Sequence, residues 1–116
     1  MENGLILIVE DSKWVETFKE FLKLDDSNYS IEWYTQGKEA VDAIRENLIY
    51  DLLLTDLGEC SGDEVIKESR RTNPRTPIIS ISGYETKPTG SNLHLTKPIS
   101  YHEIKRHIEE LISSKP

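Results

Sequence analysis

Three acids, a hydroxyl and an ammonium each close an apolar run of this sequence: Glu10 and Asp11 follow residues 5–9, Asp56 follows 50–55, Ser82 ends 78–82 and Lys97 follows 93–96. Gathered in one place, the acids would repel one another, an arrangement that a bound cation relieves. An all-oxygen set without histidine or cysteine suits a hard ion, and Mg2+ takes a few carboxylates while keeping positions for water and phosphate. A carboxylate surrounded by a metal, a hydroxyl and an ammonium has the parts that phosphoryl transfer needs. They are a nucleophilic oxygen, a cation to offset charge, and fixed donors for the oxygens of the transferred group. Taken singly, each residue has a plainer account: Glu10 or Asp11 as a helix cap, Ser82 as strand polarity, Lys97 as a solvated loop cation.

Whether these residues meet depends on the elements that carry them. Residues 5–9 are continuously apolar and rich in β-branched side chains, which predicts a strand buried on both faces. Behind a cap at Asp11 or Ser12, Trp14, Val15, Phe18, Phe21 and Leu22 recur at helical spacing up to a turn at 25–28. A short aromatic strand at 31–34 precedes a helix whose stripe is Ala40, Val41, Ile44 and Leu48. A third strand occupies 50–55, and a helix over 62–72 turns Val65, Ile66 and Ser69 inward, with Arg70 and Arg71 at the negative end of its dipole. Pro77 opens a fourth strand at 78–82. Residues 83–92 hold Gly83, Pro88 and Gly90 and no apolar period, so a loop is expected where the alternation would place a helix. A fifth strand at 93–96 leads to the capping box Ser100 to Glu103 and a last helix bearing Ile104, Ile108, Leu111 and Ile112.

Strands alternating with helices predict an α/β fold, a doubly wound parallel sheet with right-handed crossovers. In such a sheet all carboxyl ends lie on one edge, where ligands bind, so the chemistry-bearing stretches converge there.

The bulk composition narrows the function. The 116 residues include 14 basic and 21 acidic side chains, a net charge of −7, which argues against a nucleic-acid backbone as partner. No run is long enough to cross a bilayer, and the first apolar run lacks the basic flank of a secretory signal. The single cysteine, Cys60, forms no internal disulfide and fits a reducing compartment, so a cytoplasmic location is expected.

The ordered set of an acidic pair, an Asp, a Ser and Lys97-Pro98 on successive strand ends resembles the receiver domain of two-component response regulators. Gly37-Lys38-Glu39-Ala40-Val41 and Pro77-Ile78-Ile79 add to the likeness, which covers essentially the whole chain. The resemblance implies a flavodoxin-like five-stranded sheet of order 2-1-3-4-5. It implies that Asp56 is a phosphoacceptor for a sensor histidine kinase or phosphotransfer protein. Mg2+ would be held by Asp11, Asp56, Glu10 through water, and the backbone carbonyl of Gly58. Ser82 and Lys97 would hold phosphoryl oxygens, and the peptide before Pro98 would be cis.

Two departures accompany it. Only six positions lead from Asp56 to Gly62, and Lys97 follows Ser82 by 15 residues, roughly two helical turns short, so the fourth helix is expected to be short or absent. The position three before the lysine, where receivers carry an aromatic switch residue, holds His94. Tyr84 is a second switch candidate with Gly83 as its hinge, because residues 77–84 look like the P-F-x-F-A-T-G-Y motif of a receiver subfamily.

The expectation is a stand-alone receiver spanning 1–116, without an output domain or membrane partner, that signals to a downstream protein and catalyses only its own phosphorylation and dephosphorylation. The alternative is a phosphorylation-independent binding module that keeps the fold. A dehalogenase-type phosphatase would want an acid where Gly58 stands. A flavodoxin would want a phosphate loop where Glu10 and Asp11 would repel the nucleotide.

Overall fold

The computed structural model describes residues 4–10, 16, 17, 19, 20, 29–57, 62–85 and 87–113. Strands β1 (Gly4–Val9), β2 (Tyr29–Tyr34), β3 (Leu52–Asp56), β4 (Ile78–Ser82) and β5 (Leu93–Thr96) form one parallel sheet of order β2-β1-β3-β4-β5. Helices α1 (Gly37–Arg45), α2 (Gly62–Thr72) and α3 (Tyr101–Ser113) complete the described elements. This is the flavodoxin-like arrangement expected from the sequence. Of the helix expected after β1, Glu16, Thr17, Lys19 and Glu20 are helical, while its apolar residues Trp14, Val15, Phe18, Phe21 and Leu22 lie outside the described residues. The Lys19 ammonium stands 5.8 Å from the centroid of the Trp33 ring.

The two faces of the sheet account for the apolar runs. Ile6, Ile8, Leu52 and Leu54 pack with Ile104 and Ile108 of α3, while Leu7, Val9 and Leu53 pack with α1 and α2 through Ala40, Val41, Ile44, Val65 and Ile66. Strands covered on both sides need no alternation. β4 and β5 do alternate: Ile79, Ile81, Leu93 and Leu95 join the α3 side, which turns Ser80, Ser82, His94 and Thr96 to the other. The sheet is therefore polar on the face that a helix between β4 and β5 would have covered.

Among the described residues of 83–92 there is no helix. Arg70 of α2 ties this loop down, donating from Nε to Gly90 O and from one terminal nitrogen to Pro74 O and Thr76 O, each at 2.8 Å, and from the other to Asn92 Oδ1. Asn92 Oδ1 also accepts the Ile78 amide at 2.8 Å. Gly90 sits at φ 96° against Ile66, a left-handed position that favours glycine.

Element ends differ from the sequence reading where side chains compete with the ladder. β3 begins at Leu52 and runs through Asp56. Tyr50 is instead a buried pin whose hydroxyl shares a hydrogen bond with Ser69 at 2.6 Å, and Asp51 Oδ2 accepts the Leu5 amide at 2.7 Å. β2 begins at Tyr29, paired with Gly4. α1 stops at Arg45, and Asn47 at φ 71° turns the chain so that Leu48 packs from the connection.

Two contacts in this frame have measurable consequences. A Cβ on Gly62 would lie 2.3 Å from the Asp56 carbonyl oxygen, so the start of α2 passes directly against the end of β3. Gly62→Ala should cost about 1–3 kcal/mol, read by urea unfolding, because backbone must shift on one side or the other. The Glu68 carboxylate, 8% exposed, joins α1 to α2 by pairing with Arg71 and with Arg45 at 3.5 Å. The hydrogen bond from Arg71, aided by Arg45, holds its carboxyl below the usual glutamate range. A folded-state value below the unfolded one contributes stability above the unfolded value and loses it as pH falls through the folded value. The stability gap between the protein and Glu68→Gln should therefore be constant above pH of about 5 and close progressively below about 4.3.

Candidate functional site

Strand register sets the site. Val9 is level with Thr55, so the next residues, Glu10 and Asp56, are neighbours at the sheet edge. Asp56 is level with Ile81 and Ser82 is level with Thr96, which puts Ser82 and Lys97 one step beyond their strands' last shared rungs. The Lys97 amide extends the ladder by donating to Ser82 O at 2.8 Å. Glu10, Asp56 and Ser82 are 2%, 8% and 9% exposed. The Lys97 side chain reaches back from a more open position, placing Nζ 2.5 Å from Asp56 Oδ2 and 3.8 Å from Glu10 Oε2. The Lys97-Pro98 peptide is cis. The solvated-cation account of Lys97 is thus set aside by its ion pairs.

The Glu10 backbone is held on both sides. Its amide donates to Tyr34 O at 3.0 Å, and the Trp33 indole donates to its carbonyl at 2.6 Å. Trp33 signalled only strand propensity in the sequence, and its role at the site became visible through the β1–β2 register.

Of the expected metal ligands, Asp11 and Gly58 lie outside the described residues. Among the described residues no group of three or more acid, histidine or cysteine side chains could hold a metal ion. The two acids described do suit a hard cation. Glu10 and Asp56 are mostly buried, and both converge on the positive charge of Lys97. An oxygen-only donor set of this kind, completed by water, fits Mg2+.

Ser82 belongs to a second network. Its Oγ accepts the Tyr84 amide and donates to the Tyr84 carbonyl, both at 3.0 Å. His94 stands beside it on β5, with Nε2 2.6 Å from Tyr84 O and 3.1 Å from Ser82 Oγ, and Nδ1 2.8 Å from Ser80 Oγ. Ser80 continues to Ser91 Oγ at 2.8 Å, and Ser91 donates to Leu93 O at 2.8 Å. Of the two switch candidates, His94 is brought to Ser82 by its side chain. Tyr84 reaches it by backbone alone, its ring being 81% exposed. Gly83 has open space where a Cβ would sit and no positive φ, so nothing in the backbone demands glycine there. Ser80 and Ser91 escaped the sequence reading. The alternation of Ile79 and Ile81 with Ser80 and Ser82 was the signal that could have found Ser80, and no comparable signal marks Ser91 in its loop.

An open cleft of about 520 Å3 lies over these residues, lined by Asp56, Asp63, Ser82, Tyr84, Pro88 and Lys97. Its carboxylate, hydroxyl and ammonium surround a space able to hold a small anion beside a nucleophilic oxygen.

Five parallel strands in this order, with an acidic site at their carboxyl edge, define a flavodoxin-like α/β domain with a candidate ligand site at that edge. The chain belongs to the response regulator receiver domain family, whose model matches residues 6–109. It is 34% identical over 93% of its length to the uncharacterized transcriptional regulatory protein YkoG of Bacillus subtilis, covering 50% of that protein. It is 26% identical over 97% of its length to the transcriptional regulatory protein ZraR of Escherichia coli, covering 27% of it. The chain thus spans about half or less of these relatives. Among solved structures it is similar to the receiver domain of the sensor histidine kinase PA1611 from Pseudomonas aeruginosa, with a TM-score of 0.79, 25% identity, and coverage of 97% of this chain and 100% of that one. That receiver holds a magnesium ion in its active-site cleft. Among the described residues no helix is long and apolar enough to cross a membrane.

The ionic contact at the centre of the site can be tested without any partner. Lys97→Met should lower stability in chelator at neutral pH by about 1–2 kcal/mol, because two mostly buried carboxylates lose a shared, half-exposed cation. Added Mg2+ should raise the melting temperature of this variant by more than that of the wild type, because the ion meets less offset negative charge.

Proposed function

We propose that this receiver domain accepts a phosphoryl group on Asp56 from a phosphohistidine of a sensor histidine kinase or phosphotransfer protein. The observation that carries the reading is the convergence of Lys97 Nζ on the buried Asp56 and Glu10 carboxylates beneath an open cleft. A carboxylate oxygen of Asp56 attacks phosphorus, the phosphorus–nitrogen bond to the donor ring breaks, and the ring, already protonated on its other nitrogen, leaves as neutral imidazole. The product on this chain is a mixed anhydride. Lys97 turns from the Asp56 oxygen to a phosphoryl oxygen and offsets its charge, and the Ser82 hydroxyl donates to another. Glu10, Asp11, Asp56 and the Gly58 carbonyl would hold Mg2+, which when bound neutralises charge on the transferred group. Asp56 is consumed once per phosphoryl group, so the domain acts as a signalling relay rather than as a turnover enzyme. It works in the cytoplasm and passes the signal to a downstream protein.

A second reading, a phosphorylation-independent binding module, is favoured by one feature, the loop that stands where receivers carry their fourth helix. The retained site residues weigh against it.

Intact mass after incubation with Mg2+ and a small-molecule acyl phosphate separates the two. One phosphoryl adduct is expected on the wild type, none in chelator and none on Asp56→Asn. Failure of the wild type with this donor and with its cognate kinase would leave the binding module as the better account.

A further inference from the structure

We infer that His94 is a positioning residue that stays in place and frees the hydroxyl hydrogen of Ser82 for the phosphoryl group, an inference that rests on Asp56 being the phosphoacceptor. The hydrogen-bond geometry assigns the imidazole hydrogen. Nε2 lies 2.6 Å from the Tyr84 carbonyl oxygen, which only accepts, so Nε2 carries a hydrogen. In the neutral ring Nδ1 is then an acceptor, and the Ser80 hydroxyl at 2.8 Å fills it. Ser80 Oγ in turn accepts from Ser91 Oγ at 2.8 Å, whose one hydrogen it shares with Leu93 O. The ring is therefore tethered at both nitrogens, by β4 on one side and by the loop after β4 on the other.

The tether changes what Ser82 is free to do. The Tyr84 carbonyl has two lone pairs and receives two donors, His94 Nε2–H and Ser82 Oγ–H at 3.0 Å. Ser82 Oγ also accepts the Tyr84 amide at 3.0 Å, which fixes the position of its oxygen. When a phosphoryl oxygen arrives in the cleft, the Ser82 hydrogen turns to it, and Tyr84 O keeps the bond from His94. The loop beyond Gly83 stays anchored and no backbone acceptor is stranded. An aromatic hydrocarbon at position 94 would leave Ser82 divided between the carbonyl and the phosphoryl group. The device is available here because the sheet face under the loop is polar, so an imidazole can be held there by hydroxyls.

The test has two arms. In the first, long-range proton–nitrogen correlation spectra of the imidazoles are recorded near neutral pH, the His94 signals being identified by their loss in His94→Gln. The Nε2–H tautomer is expected, unchanged when Mg2+ and beryllofluoride are added as a phosphoryl mimic. A protonated Nδ1 in the neutral ring, or averaging of the two nitrogens on adding the mimic, would overturn the tether. In the second arm, phosphoryl uptake from the acyl phosphate is timed. His94→Phe should be slower by about fivefold, within the worth of one neutral hydrogen bond, and His94→Gln, which restores a donor, should stay within about twofold of the wild type. On a Ser82→Ala background His94→Phe should cost nothing more, because its effect passes through that hydroxyl. Equal rates for His94→Phe and wild type, or additive losses in the double variant, overturn the positioning role. Wild-type protein that takes no phosphoryl group from any donor overturns the phosphoacceptor reading and this role with it. The spectra decide the tautomer independently.

Discussion

The structure depends on one ionic contact, the Lys97 ammonium set against the Asp56 and Glu10 carboxylates. Two acids at 8% and 2% exposure are mostly out of water, and buried charge is costly unless it is paired. The Lys97 ammonium supplies the opposite charge within 3.8 Å of both. Parallel register is what allows the contact. The two acids are consecutive across β1 and β3, and the lysine arrives two strands away because β4 and β5 end one residue later at each step. A slip of one residue in any of these strands would turn a site residue to the opposite face. The apolar runs that fix the register are therefore as much part of the site as its charges.

The second constraint comes from the short connection between β4 and β5. Too few residues for a full helix and its turns leave a sheet face that apolar side chains could not cover, and the sequence answers with Ser80, Ser82, His94 and Thr96 on that side. Burying hydroxyls unpaired costs about 1–3 kcal/mol each. They are paired here in a chain from Ser82 through His94 and Ser80 to Ser91, and among the described residues no buried side-chain polar atom lacks a partner. Arg70 supplies the remaining fastening by spending its donors on backbone carbonyls on either side of β4 and on Asn92. A loop held by directional bonds from α2 has replaced a helix held by apolar packing.

Much of this was legible in the sequence. The runs at 5–9 and 78–82, the helix at 62–72 and the loop at 83–92 announced themselves through apolar period and punctuation, and the ends of those runs named Glu10, Asp56, Ser82 and Lys97. Where side chains compete with backbone for the same hydrogen bonds, the period misleads. Tyr50 continues the apolar run into β3 yet belongs to a cluster with Ser69 and Asn73, and Leu48 continues the stripe of α1 after the helix has ended at Arg45. His94 could be placed at a switch position by order alone. Its partners are 10 to 14 residues away in sequence, on another strand and a loop, and only the β4–β5 register brings them to the ring.

The two networks meet at Ser82, and that meeting bears on how a change at Asp56 would travel. In a receiver with a helix between its last two strands, movement of the hydroxyl residue can be taken up by packing between that helix and the sheet. Here Ser82 is bonded to the backbone of Tyr84, Tyr84 to His94, and His94 to Ser80 and on to Ser91, which lies beside the Gly90 and Asn92 groups held by Arg70. Coupling between sites needs a contiguous path with two arrangements, and hydroxyl hydrogens can be redirected by rotation with little movement of heavy atoms. On the proposed reading the phosphoryl group would therefore be sensed as a change in the direction of the Ser82 hydrogen bond, while His94 keeps the loop in place. With the loop held, a partner would distinguish the two states at the cleft itself, where the phosphoryl group would stand beside the exposed Tyr84 ring.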